Sequence, residues 1–88
     1  MDQQPLELKF PLEFPIKIIG NNQPNFYEEI TAILLKHVTD LDVESITTRT
    51  SNGGKYLSVS AHFIAGNREQ VDNLYRELSA RPDVKTIL

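Results

Sequence analysis

The chain has 88 residues, 24% of them charged and 40% hydrophobic, with a formal net charge of −3. That length supports one domain, and the composition is that of an ordinary globular protein, not a disordered one. The absence of cysteine removes disulfides, thiolate catalysis, iron–sulfur clusters and cysteine-based zinc sites, and the acidic balance argues against affinity built on neutralising phosphates.

A chain this short buries roughly 60–65% of its unfolded surface, so self-association would widen a thin margin of stability. No stretch approaches the ~18 apolar residues of a membrane span. Met1 is followed by acidic and Gln residues where a leader would carry a basic segment. The expectation is a cytoplasmic protein that does not enter a membrane.

Residues 1–13 read as an extended arm preceding a single domain over 14–88. Pro5, Pro11 and Pro15 remove backbone donors, so Met1 to Pro15 is not expected to form a central strand. Leu6, Leu8, Phe10, Leu12 and Phe14 nevertheless alternate, the period of a segment laying one face on something apolar. The alternation runs on through Ile16 and Ile18 and stops at Gly20, which predicts a first strand over Phe14 to Ile19.

Asn21 to Asn25 is turn chemistry, with Pro24 suited to the first position of a helix. From Phe26 the period changes: Phe26, Ile30, Ile33, Leu34 and Val38 share one helical face, while Glu28 and Glu29 stand in the first turn. Val43 to Ser51, rich in β-branched residues, reads as a second strand. Asn52-Gly53-Gly54 is a hairpin turn. The returning strand, Tyr56 to Ile64, should set Leu57, Val59, Ala61 and Phe63 on the core and Tyr56, Ser58, Ser60 and His62 away from it. Asn67 caps a second helix, with Gln70 where a capping box wants it. Val71, Leu74, Tyr75 and Leu78 are its apolar stripe, and Asp72 and Arg76 form an i,i+4 pair. Arg81-Pro82-Asp83 stops that helix before a short apolar strand, Val84 to Leu88.

Two crossovers joined by a hairpin predict an α+β, ferredoxin-like βαββαβ sandwich. Its four-stranded antiparallel sheet should carry both helices on one face, with the first and third strands central.

Chemistry-bearing groups are few. His37 sits near a helix C-terminus, where a cation suits the dipole. Ser58, Ser60 and His62 share a strand face, but neighbours at i and i+2 stand roughly 7 Å apart, beyond hydrogen-bond reach for a nucleophile and its base. Asp40, Asp42 and Glu44 resemble the start of a calcium loop, yet Leu41 and Val43 are apolar, Ser45 stands where the turn glycine belongs, and the closing glutamate is missing. No catalytic residue, metal site or cofactor is expected, and the chain does not read as an enzyme.

Two surfaces remain. The open sheet face should display Lys17, Ile19, Tyr56, Ser58, Ser60, His62, Lys85 and Ile87. RNA-recognition domains of this topology stack bases on central-strand aromatics; Tyr56 alone would serve here, so nucleic acid is not an expected partner. The other surface is the first strand–helix turn, where Gly20, Asn21, Asn22 and Asn25 lie at a helix N-terminus that attracts carboxylates.

The residues Phe14-Pro15, Lys17-Ile18-Ile19-Gly20, Tyr56, Ser58-Val59-Ser60, Glu69-Gln70-Val71, Leu74-Tyr75, Glu77-Leu78 and the apolar end at Leu88 resemble the YbeD family of small bacterial proteins. The resemblance runs from about Phe14 to the end. It implies a ferredoxin-like, ACT-like fold and a regulatory role, with a hint of lipoate metabolism. A more distant resemblance is to ACT regulatory domains, which bind amino acids and pair through their sheets. Their first turn reads Asp-x-Pro-Gly; this one reads Asn22-Gln23-Pro24-Asn25, and Asn25 puts a side chain where the family has glycine. An enzyme of acylphosphatase type needs an arginine in that turn, and none stands between Lys17 and Glu29.

The leading expectation is therefore a non-enzymatic regulatory or interaction module acting through a protein partner or a homodimer. The alternative is a sensor binding an amino or carboxylic acid, lipoate-related acids included, at the first turn.

Overall fold

The computed structural model describes residues 9–88. In chain order it comprises β1 (Leu12–Asn21), α1 (Phe26–His37), a 3-10 turn (Val43–Ser45), β2 (Thr47–Thr50), a hairpin turn (Asn52–Gly54), β3 (Tyr56–Ala65), α2 (Arg68–Ser79) and β4 (Val84–Ile87). The strands form one antiparallel sheet in the order β2-β3-β1-β4. This is the expected ferredoxin-like arrangement, with the first and third strands central.

One core lies between the sheet and the helices. Ile16 and Ile18 of β1 and Val59, Ala61, Phe63 and Ala65 of β3 meet Phe26, Ile30, Ile33 and Leu34 of α1 and Val71, Leu74 and Leu78 of α2. At one end Phe14 packs 5.8 Å from Phe63 and edge-on, 6.2 Å, to Tyr75, a geometry aromatic rings favour. Of the alternating apolar residues ahead of the domain, Phe10 and Phe14 pack on this core, and Leu12 opens β1. Leu6 and Leu8 lie outside the described residues.

Pro15 stands in a central strand, contrary to the sequence expectation, and the register explains how. Lys17 exchanges both backbone hydrogen bonds with Leu88, so Pro15, two residues earlier, faces the same side but beyond the last residue of β4. Its missing N–H has no partner to lose there.

β4 departs from simple alternation. A register shift falls between Ile19 and Gly20, so Ile87 lies opposite Ile18, Thr86 opposite Ile19 and Val84 opposite Gly20. Val84 and Ile87 therefore both pack on the core, and Ile87 is not on the open face as expected.

The second strand is also shorter than its β-branched composition implies. Val43–Ser45 forms the 3-10 turn because Asp42 offers the backbone a better partner: its Oδ1 accepts from Glu44 N at 3.1 Å, and Ser45 Oγ donates to the Asp42 carbonyl at 2.7 Å. Local side-chain bonds of this kind compete with strand pairing. Asp42 is thus a cap.

Helix α2 starts as predicted, Asn67 Oδ1 accepting from Gln70 N at 2.8 Å. Gln70 reaches back one residue further than a capping box, to Gly66 N at 2.7 Å, and its Nε2 donates to the His37 carbonyl at 2.8 Å. The Asp72–Arg76 pair is not formed. Asp72 lies 3.8 Å from Arg68, and Arg76 donates to Asn73 at 2.8 Å. The end of α1 is tied to α2 by Glu77, whose carboxylate meets His37 Nε2 at 2.8 Å and Lys36 Nζ at 3.1 Å. These hydrogen bonds, His37 first, hold the Glu77 carboxyl below its ordinary value.

Gly20 is fixed by packing. A Cβ there would overlap the Asp83 carbonyl and the Phe26 ring. Gly20→Ala is expected to cost about 1–3 kcal/mol as an overpacked core position, read as a lower urea midpoint with unchanged slope. Thr31, buried on α1, has a hydroxyl without a hydrogen-bond partner among the described residues. Thr31→Val keeps the shape and removes that group, and should raise stability by about 1 kcal/mol in the same measurement.

Candidate functional site

The face of the sheet opposite the helices is set by the β1–β3 register. Asn21 lies opposite Tyr56, Ile19 opposite Ser58, Lys17 opposite Ser60, Pro15 opposite His62 and Glu13 opposite Ile64. The flanking strands extend two of these pairs across the whole sheet. One row reads Thr47, Ser60, Lys17, Leu88; the next reads Arg49, Ser58, Ile19, Thr86.

Six of the eight residues predicted for the open face are brought together there: Lys17, Ile19, Tyr56, Ser58, Ser60 and His62; the slip in β4 puts Thr86 and Leu88 on this face in place of Lys85 and Ile87. Arg49, Thr47, Thr86 and Leu88 join them, none singled out from sequence for this face. The first two needed the β2 register, and the last two needed the slip in β4.

A shallow groove of about 570 Å³ crosses this face, walled by Pro15, Lys17, Thr47, Ser60, His62 and Leu88. Leu88 is 65% exposed and Ile64, at the far end of the face, is 59% exposed, whereas Ile19 and Tyr56 are half-buried. Lys55 follows the hairpin and holds its Nζ 5.4 Å from the centre of the Tyr56 ring, within the range of a cation–π contact. At the other end His62 Nδ1 stands 3.7 Å from Glu13, turned toward a carboxylate and not toward Ser60.

The second candidate surface, the turn between β1 and α1, is more tightly committed than its composition implies. Asn22 Nδ2 donates to the Gly54 carbonyl at 2.9 Å, and Asn22 N donates to the Lys55 carbonyl at 3.0 Å. Asn22 thus ties the turn to the β2–β3 hairpin. Gly20 is covered by Phe26 and Asp83, so it offers no close approach to a ligand. Asn21 N donates to the Asp83 carbonyl at 3.0 Å. Asn25 stands at the cap of α1 without a side-chain hydrogen bond to it.

Beside this turn lies a cleft of about 540 Å³ lined by Asn21, Gln23, Ala80, Arg81, Pro82 and Asp83. Its guanidinium is already engaged. Arg81 Nε and Nη2 donate to the two Asp83 oxygens at 3.0 and 2.8 Å, and Nη2 also donates to Glu29 of α1. Hydrogen bonding from Arg81 holds the Asp83 carboxyl below its ordinary value, and the Asp83 and Glu29 carboxylates push the Arg81 guanidinium above its own. Sequence shows the local Arg81–Asp83 spacing but gives no sign of Glu29, 52 residues away.

The relatives of the chain agree with this fold. A family model described as "Protein of unknown function (DUF493)" matches residues 6–88. A UPF0250 protein of Paraburkholderia phytofirmans is 39% identical over 80 residues, covering 91% of this chain and 90% of its own length. The chain belongs to this DUF493/UPF0250 family, the YbeD-like proteins that its sequence resembles. Among solved structures, the ACT domain of a GTP pyrophosphokinase from Chlorobium tepidum aligns with a TM-score of 0.66 at 18% identity, over 86% of this chain and 84% of that one. The C-terminal domain of the MgtC protein from Mycobacterium tuberculosis aligns with a TM-score of 0.63, also at 18% identity, over 94% and 89%. These two likenesses are of fold.

Removing Arg81 strands two carboxylates that are only partly solvated. Arg81→Ala should cost about 1–2 kcal/mol, a charged hydrogen-bond pair discounted for partial exposure. The pH dependence has a definite sign. Because the folded state depresses Asp83, its contribution is full above the unfolded carboxylate range, about pH 4, and is lost as pH falls through the lowered folded value. Melting temperature against pH should therefore fall less steeply on the acid side in Arg81→Ala than in the parent.

Proposed function

We propose that this member of the DUF493 family is a non-enzymatic regulatory or interaction module that engages a protein partner through the open face of its sheet. The observation carrying the reading is the helix-free face itself, on which two cross-strand rows run over all four strands. Packed faces elsewhere in the molecule are sealed by helices; this one presents half-buried apolar side chains ringed by polar ones, the makeup of a protein-binding patch. Ser58, Ser60 and His62 occupy successive positions of one strand face, and His62 turns to Glu13, which favours a binding role for them over a catalytic one. The ACT-domain likeness is compatible with a regulatory module.

A photocrosslinking side chain in place of Ser58, irradiated in the native host, should capture a discrete partner. The same group in place of exposed Glu69 on α2 should not. Capture from Glu69 alone would sink the assignment of the face, and an adduct of doubled mass would identify the partner as a second copy.

A second reading, a sensor of amino or carboxylic acids, is favoured by the cleft beside the β1–α1 turn. It requires a saturable rise in melting temperature with amino acids, short-chain acids or lipoate, amounting to about 2.7 kcal/mol at a hundredfold excess over Kd. No rise with any of them would leave the sheet face as the functional surface.

A further inference from the structure

The sheet register brings three of the chain's lysines and arginines to one face. Lys17 and Arg49 project from the open face, in rows shared with Ser60 and Ser58, and Lys55 stands over Tyr56 on the same face. Among the described residues the lysines and arginines that lie within 4 Å of a carboxylate are Lys36, Arg68 and Arg81. Lys17, Arg49 and Lys55 are not among them. An acidic protein of net charge −3 thus presents three uncompensated cations around Ile19 and Tyr56.

We propose that the hairpin half of this face docks a short acidic segment of a partner protein, its carboxylates against Lys17, Arg49 and Lys55 and an apolar side chain on Ile19 and Tyr56. The inference rests on the reading of this face as an interaction surface and supplies the chemistry of the partner. The dimensions fit a short segment. Successive open-face positions are roughly 7 Å apart along a strand and strands are about 4.8 Å apart. From Tyr56 to Lys17 is two such steps, and Arg49 stands two strands from Lys17. About four residues of extended chain span that distance.

The other half of the face limits what can bind. Glu13 lies there beside Ile64, and Glu13, Asp40 and Asp42 line a second recess with His62 and Ile64. A long polyanion such as RNA, laid along the strands, would run from the cations into these carboxylates. A short acidic segment stops before them. A second copy seated with its twofold axis through the cation cluster would bring Lys17, Arg49 and Lys55 close to their own equivalents, and like charges juxtaposed in an interface carry a penalty.

The test is a titration of the isotope-labelled full chain, followed by amide chemical shifts. The probes are a short synthetic peptide rich in Glu and Leu, the same peptide with Lys for Glu, and oligo-uridylate of matching length. The acidic peptide should shift Ile19, Arg49, Tyr56 and Ser58, with affinity falling steeply between about 20 and about 200 mM salt. The Lys17→Glu/Arg49→Glu double variant should weaken it by about tenfold or more. Lys17→Gln/Arg49→Gln serves as the milder pair if charge reversal disturbs the fold, which the parent-like dispersion of the spectrum reports.

No binding of the acidic peptide, binding unaffected by these substitutions, shifts confined to the helices, or equal binding of the Lys peptide or the RNA would each overturn the proposal. Capture of a partner by the Ser58 crosslinker, with no affinity for the acidic peptide, would overturn it while leaving the interaction reading intact.

Discussion

Ten residues of β1 pair with ten of β3 without a slip, and the rest of the molecule is arranged around that pairing. Because side chains alternate along a strand, a shift of one residue would turn one of the two central strands over relative to the other. Either Ile16 and Ile18 would then meet water and Lys17 the helices, or Val59, Ala61 and Phe63 would meet water and Ser58 and Ser60 the helices. Losing the burial of either set against α1 and α2 makes that alternative costly, so the same hydrophobic contrast that builds the core also determines which residues reach the open face. The open face is the complement of the core, fixed by one register.

The parts of the structure legible in sequence are those governed by a single period or a local cap. Phe26, Ile30 and Leu34 repeat at helical spacing, Val59, Ala61 and Phe63 alternate, and Asn67 caps within three residues of itself. Each signal lies within a few residues of the feature it specifies. The departures arise where two rules compete. Val43 and Ile46 favour a strand, but Asp42 captures the Glu44 amide and turns the chain. Pro15 forbids a ladder bond, yet β4 ends before it could ask for one. In β4, Val84 and Ile87 are three apart, a spacing that alternation puts on opposite faces; only the slip at Ile19/Gly20 seats both on the core.

The two candidate surfaces were legible to different degrees for a related reason. The open face follows from alternation, so its central members were readable, while Arg49 and Lys55 required knowing how β2 and the hairpin lie against β3. The β1–α1 turn was readable as a turn but not as a closed one. Its small, polar residues look available in sequence because their partners are distant: Gly54 for Asn22, Asp83 for Asn21 and Glu29 for Arg81. Composition identifies residues able to bind something; it does not say whether the fold has already supplied their partners.

That distinction decides between the surfaces. At the turn, Arg81 is held by two carboxylates, so an incoming acid would have to displace interactions already formed there and recover their energy before showing any affinity. On the open face the cations sit above half-exposed apolar groups, without carboxylates of the described chain against them. A partner carboxylate brought to Lys17 or Arg49 displaces no ion pair formed among the described residues. Affinity comes most readily where polar groups have not been spent on the fold, and among the described residues the open face of the sheet gathers three such cations.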